Sequence, residues 1–248
     1  MITSFDTLGM YFMGMDIKYI ILTAVFALIS KAVGGMLQSR FRKFSKISIP
    51  YTGAQIAEMM LRDAGIHDVK IISTPGQLTD HYNPQNKTVN LSQVVYGMNN
   101  VSAAAVAAHE VGHAVQHARA YSWLQMRSSL VPLLGFGSNF SPYIIMIGLG
   151  LMAASGSSGL GNTITMIGIT LFALTTLFAF VTLPVEFDAS SRALRWIQTS
   201  GVMGTLDRSK AKSALDAAAM TYVVGALTSL GQLIYFISLF LGRQSDDD

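Results

Sequence analysis

Cysteine is absent from this chain of 248 residues. Disulfides and thiolate ligands are therefore excluded, and a bound metal would have to be held by His, Asp or Glu. Charge is scarce too: Asp, Glu, Lys and Arg make up 12% of the residues, against about 25% in an ordinary soluble domain. What fills the chain instead is apolar. It is 51% hydrophobic with a mean hydropathy of +0.43, the composition of an integral membrane protein. The net charge of +3 is small, and its placement follows membrane sidedness rather than a basic binding face, so no nucleic-acid partner is expected. Residues 1–16 carry Asp6 and Asp16 without the positive start of a secretory leader, so no cleaved signal is expected there.

The first apolar stretch, residues 17–37, is long enough to span a bilayer although Lys18 and Lys31 interrupt it. Lys31 can snorkel toward the headgroups, and Arg40, Arg42, Lys43 and Lys46 follow directly, which marks that end as cytoplasmic. From Ser128 to Val185 there is no charged residue, a run too long for one crossing of a hydrocarbon core about 30 Å thick. It divides into two spans, 129–154 and 162–183, at the turn Ser155-Gly156-Ser157-Ser158-Gly159. Pro132, Asn139 and Pro142 predict a kinked or interfacial start for the first of these. A fourth span is expected over 217–241. All lysines and arginines except Lys18, Lys31 and Arg243 fall between Arg40 and Arg127 or between Arg192 and Lys212. The positive-inside rule puts those two regions in the cytoplasm and both termini outside.

Segments 48–127 and 184–216 then form a small α+β cytoplasmic domain. Thr52 caps a helix from Gly53 to about Ala64, with Ile56, Met59 and Met60 on one stripe and Gly65 at the stop position. Val69 to Ile72 alternates like a strand, and Pro75-Gly76 turns. Leu78-Thr79-Asp80-His81-Tyr82 leads through Asn83-Pro84-Gln85-Asn86 into Thr88-Val89-Asn90-Leu91, a hairpin or meander. After a break at 97–100, Ser102 is the expected cap of the next helix.

That helix carries His109-Glu110-Val111-Gly112-His113 within an alanine-rich run. Residues four apart share a helix face, so His109 and His113 can direct ring nitrogens at one ion, and zinc suits two imidazoles and a carboxylate. Glu110, the next residue round, faces the open position, where it can accept a proton from water whose pKa zinc lowers to about 7. Two spans return the chain to the same face of the membrane, so Glu186 in Pro184-Val185-Glu186-Phe187-Asp188-Ala189-Ser190 can supply the third ligand. A third histidine of the metzincin type is excluded, because Arg119 stands at that position.

His109-Glu110-Val111-Gly112-His113 with Glu186 downstream resembles the gluzincin peptidases. The chain as a whole looks like the bacterial membrane neutral zinc metallopeptidase family, from the first span through Leu78 to Tyr82, Leu130-Val131-Pro132 and Thr182 to Phe187 as far as Thr221-Tyr222-Val223. The resemblance implies one Zn2+ per chain bound by His109, His113 and Glu186, with Glu110 as general base. One position departs from it: related membrane gluzincins have Asp four residues after the ligand glutamate, where this chain has Ser190. Helical spacing puts Ser190 on the face of Glu186 and turns Asp188 away, so Ser190, Asp80 or a backbone carbonyl is left to orient a ligand histidine.

The remaining histidines divide. His81 can polarise the scissile carbonyl, or can serve only the hydrogen bonding of a turn. His117, two helical turns or about 12 Å from His109, is too distant to share the ion. It reads as a surface residue, as does His67. Arg192 and Arg195 read as topology signals, with contact to an anionic substrate as the other possibility.

The expectation is a mainly α integral membrane protein with about four transmembrane helices, a multi-pass zinc metallopeptidase of the bacterial inner membrane. Its active site would lie on the cytoplasmic side, its partners being the lipid bilayer and a peptide or membrane-protein substrate. A zinc-stabilised scaffold without proteolysis, or a zinc hydrolase of a lipid or amide substrate, are the readings it competes with.

Overall fold

A computed structural model of the chain describes residues 17–155 and 159–245. Among the described residues, seven helices and three short strands follow in order: α1 (Ile17–Phe44), α2 (Gly53–Asp63), β1 (Lys70–Thr74), β2 (His81–Asn83), β3 (Thr88–Ser92), α3 (Gln93–Gly97), α4 (Val101–Ala118), α5 (Ser122–Ser155), α6 (Gly159–Ser200) and α7 (Thr205–Ser245). The described residues group into two compact units, one drawn from residues 17–32, 130–155, 159–180 and 224–245, the other from residues 33–129 and 181–223.

In the first unit, Ile145, Leu149, Met152, Phe172, Phe236 and Phe240 form the core. Glycines let its helices approach closely: a Cβ on Gly148 would fall 2.3 Å from Thr165 Oγ1, and one on Gly168 2.7 Å from Ile145 Cγ1. Among the described residues, Ile17–Phe44, Gly159–Ser200 and Thr205–Gly242 are long and apolar enough to cross a membrane, and α5 holds a shorter apolar stretch, Phe140–Ala154. The expected turn at 155–159 falls on residues 156–158, and the expected outside start on residues 1–16; both lie outside the described residues.

The second unit is built around α4. Its alanines at 103, 104, 105, 107 and 108 are almost fully buried, because small side chains let α2, the sheet and α6 close on one helix. α2 starts as the sequence predicts, with a reciprocal cap between Thr52 and Gln55, and it stops at Gly65, whose φ is +71°.

One expectation is corrected. The cap of α4 is Asn100, whose side-chain oxygen accepts from Ala103 N at 2.9 Å. Ser102 lies inside the first turn and donates to the Phe41 carbonyl at 2.8 Å. Asn caps as well as Ser does, and its extended backbone here (φ −141°, ψ 167°) is that of a cap. Of the hairpin and the meander that the sequence allows, β2 and β3 form the antiparallel hairpin, and β1 lies parallel to β3, in the order β1-β3-β2. α6 runs through Pro184 to Ser200, so one helix carries both the apolar run and the segment that holds Glu186.

Candidate metal centre

The site forms where α4 meets α6, and glycine makes that meeting possible. A Cβ on Gly112 would lie 2.6 Å from the Ala189 carbonyl oxygen. Gly112→Ala is therefore expected to push the helices apart and destabilise this unit by about 1–3 kcal/mol. A lowered unfolding midpoint in detergent would report it, and an unchanged midpoint would refute the contact.

His109 and His113 stand one turn apart on α4, with ring centroids 4.8 Å apart and planes 86° from parallel. Glu186 is 2% exposed on α6. Its Oε2 lies 3.2 Å from His109 Nε2 and 3.6 Å from His113 Nε2. Those separations suit zinc, whose bonds of about 2.0–2.1 Å at tetrahedral angles place ligand atoms roughly 3.3 Å apart. The three residues can hold a metal ion, their ligand atoms all lying within 4.8 Å of one another.

The atoms that do not point inward are held as well. His109 Nδ1 lies 3.1 Å from Ser190 Oγ. His113 Nδ1 donates to Gln116 Oε1 at 3.0 Å, and the Gln116 amide donates to the Val185 carbonyl at 2.7 Å and to Asp188 Oδ2 at 2.8 Å. Arg192 pairs with the same Asp188 oxygen. Glu186 Oε1 faces Arg127 at 3.5 Å, which leaves Oε2 as the atom presented to the histidines. Burial discourages charge on the His113 imidazole, yet its hydrogen bond to Glu186 and the charges of Glu110 and Glu186 outweigh that, and its pKa is raised. The pocket thus attracts positive charge, as a metal site must.

A cleft of about 740 Å³ opens beside these groups. His109, Glu110 and Tyr222 line it together with apolar residues that include Phe41, Leu78 and Val106. Glu110 is 8% exposed and so faces the cleft from a nearly dry position.

The structure brings His109, Glu110, His113, Glu186 and Ser190 together. Asp80 also lines the cleft, but its carboxylate accepts from Ser92 N at 2.7 Å. His81 is exposed, its Nδ1 lies 2.8 Å from the Thr79 carbonyl, and it is not among the residues lining the cleft. His117 is exposed and meets the Tyr82 hydroxyl at 2.7 Å; His67 is exposed. Gln116, Arg127, Asp188 and Tyr222 were missed. Gln116 had a signal: it continues the stripe of His109 and His113 at the next turn, a polar residue on the helix face that must be buried.

Two histidines one turn apart and a glutamate from a second helix, on a chain with three helices able to cross a membrane among the described residues, describe a membrane protein with a hydrolase-like metal site. The pattern described as "Putative neutral zinc metallopeptidase" matches residues 19–241, and the chain belongs to that family. It is similar to "Putative membrane protease YugP" of Bacillus subtilis (strain 168), 38% identical over 213 residues that cover 85% of this chain and 91% of the relative. No solved structure shows significant similarity to it.

Proposed function

We propose that this protein is a zinc-dependent membrane peptidase that hydrolyses peptide bonds with Glu110 as general base. The observation that carries the reading is the convergence of both histidine Nε2 atoms on Glu186 Oε2 beside a cleft lined by Glu110. A site that only stabilised a scaffold would need no base in a substrate-sized cleft.

When bound there, zinc supplies the Lewis acidity that makes water acidic enough to attack at neutral pH. His109, His113 and Glu186 hold the ion, one per chain. The carboxylate of Glu110 takes the proton from the attacking water and gives it to the leaving amine nitrogen. Tyr222 lines the same cleft with its side chain hydrogen-bonded to Glu186, and from that position beside the ligand its hydroxyl is suited to turn to the carbonyl oxygen as it gains charge. The apolar residues of the wall keep water from competing for these groups. Substrates are peptide segments or membrane proteins near the bilayer. A four-span arrangement with both termini outside and the site on the cytoplasmic side of the bacterial inner membrane agrees with the distribution of lysine and arginine.

Purified protein in detergent is expected to contain one zinc per chain and to cleave members of a peptide library. Chelation is expected to abolish cleavage, and added zinc to restore it. Zinc content without cleavage of any peptide would favour the scaffold. Cleavage confined to lipid or non-peptide amides would move the assignment to another hydrolase.

A further inference from the structure

We propose that Gln116 is the positioning residue that sets the tautomer of His113 and its separation from Glu186. Gln116 is fully buried, 0% exposed, although its amide carries two N–H donors and an acceptor oxygen. All are used. The nitrogen donates to the Val185 carbonyl at 2.7 Å and to Asp188 Oδ2 at 2.8 Å. A carbonyl and a carboxylate accept only, so the amide cannot be turned round, and its oxygen must face His113. That oxygen also accepts only, so His113 Nδ1, 3.0 Å away, must carry the proton. A neutral His113 then has its lone pair on Nε2, the atom that faces Glu186.

Ser190 imposes no such choice on His109. A hydroxyl donates or accepts with equal ease, and the 3.1 Å contact with His109 Nδ1 is compatible with either tautomer. Of the two histidines, only His113 is locked.

Gln116 also fixes a distance. Val185 precedes Glu186 and Asp188 follows it by two residues, so one amide grips α6 on both sides of Glu186 while its other end holds His113. Asp188, which helical spacing turns away from Glu186, acts on the site through this amide. It is held in turn by Arg192, whose guanidinium lies 5.7 Å from the centre of the Tyr121 ring. No other residue type of this length supplies an acceptor to one side and two donors to the other.

The proposal rests on His109, His113 and Glu186 holding zinc, and its test separates the two. Zinc affinity is measured by chelator competition for wild type, Gln116→Met, Gln116→Glu and Gln116→Glu/Asp188→Asn, with visible spectra of the Co2+-loaded proteins and circular dichroism alongside. Gln116→Met keeps the length and removes all three hydrogen bonds. It is expected to weaken zinc by about 10–100-fold, the usual loss for a group that orients a ligand, and to change the Co2+ spectrum while the helical signal stays. Gln116→Glu is expected to weaken zinc at least as much, because it sets a carboxylate against the Val185 carbonyl and the Asp188 carboxylate. Adding Asp188→Asn restores an N–H donor toward that carboxylate and is expected to recover much of the lost affinity. Wild type that binds no zinc would remove the metal reading and the proposal with it. Wild type that binds zinc beside a Gln116→Met variant with equal affinity and an unchanged Co2+ spectrum would remove the proposal alone. Should Gln116→Met fail to fold, the Glu variants decide: no recovery on adding Asp188→Asn overturns it.

Discussion

Glu110→Gln is expected to retain the zinc of the wild type and to lose peptide cleavage by about 10²–10⁴-fold, the usual contribution of a positioned general base. The substitution keeps the shape of the side chain, so the nearly buried position at 8% exposure stays filled. It removes the acceptor for the water proton. Glu110 is not one of the three residues whose ligand atoms converge, so the metal should be held as before. The loss is expected in kcat with KM little changed, because the proton moves only in the chemical step. Zinc content and steady-state cleavage of one peptide, measured on the same preparation, are enough. A variant that cleaves at the wild-type rate would exclude Glu110 as the base, and one that loses its zinc would make Glu110 a ligand.

The pair on α4 was legible because a helix converts spacing into geometry: residues four apart lie on one face whatever surrounds them. Glu186 was expected from a coarser argument, that two spans would return the chain to the same face, and what places it is the packing of residues 181–223 in one unit with residues 33–129. What the spacing could not show was how α6 approaches α4. That approach depends on Gly112 and on the Ala189 backbone, a contact between residues far apart in sequence. Asp188 illustrates the cost. Its direction relative to Glu186 follows from helical period, but its reach to His113 runs through Gln116, which belongs to the other helix. The parallel pairing of β1 with β3 was hidden too, because strand alternation says which residues face together and not which strand is the neighbour. Asn100 and Ser102 are both residue types that cap helices, and the docking of Ser102 on the Phe41 carbonyl leaves the cap to Asn100.

Glu186→Ala is expected to lose zinc, and with it all cleavage. Oε2 of this residue is the point on which both histidine Nε2 atoms converge, at 3.2 and 3.6 Å, so the truncation leaves two ligands where a catalytic zinc needs three. The fall in affinity should exceed the roughly 10–100-fold typical of an orienting partner, which ranks the variant below Gln116→Met. The truncation also leaves Arg127 without the carboxylate oxygen it faces at 3.5 Å, so some loss of thermal stability is expected even without metal. Glu186→Gln separates the two effects. It preserves the volume at a site only 2% exposed and retains a weak oxygen ligand, so it should hold zinc less tightly than wild type but better than Glu186→Ala. Asp188→Asn is the control from the same helix, since its carboxylate meets Gln116 and Arg192 rather than the histidine Nε2 atoms, and it should keep measurable zinc. Metal content and chelator competition across the three variants give the order Asp188→Asn, Glu186→Gln, Glu186→Ala from tightest to weakest. If Glu186→Ala kept full metal and activity, the third ligand would have to come from elsewhere. The convergence of α4 and α6 would then be a packing contact between two helices rather than a metal site.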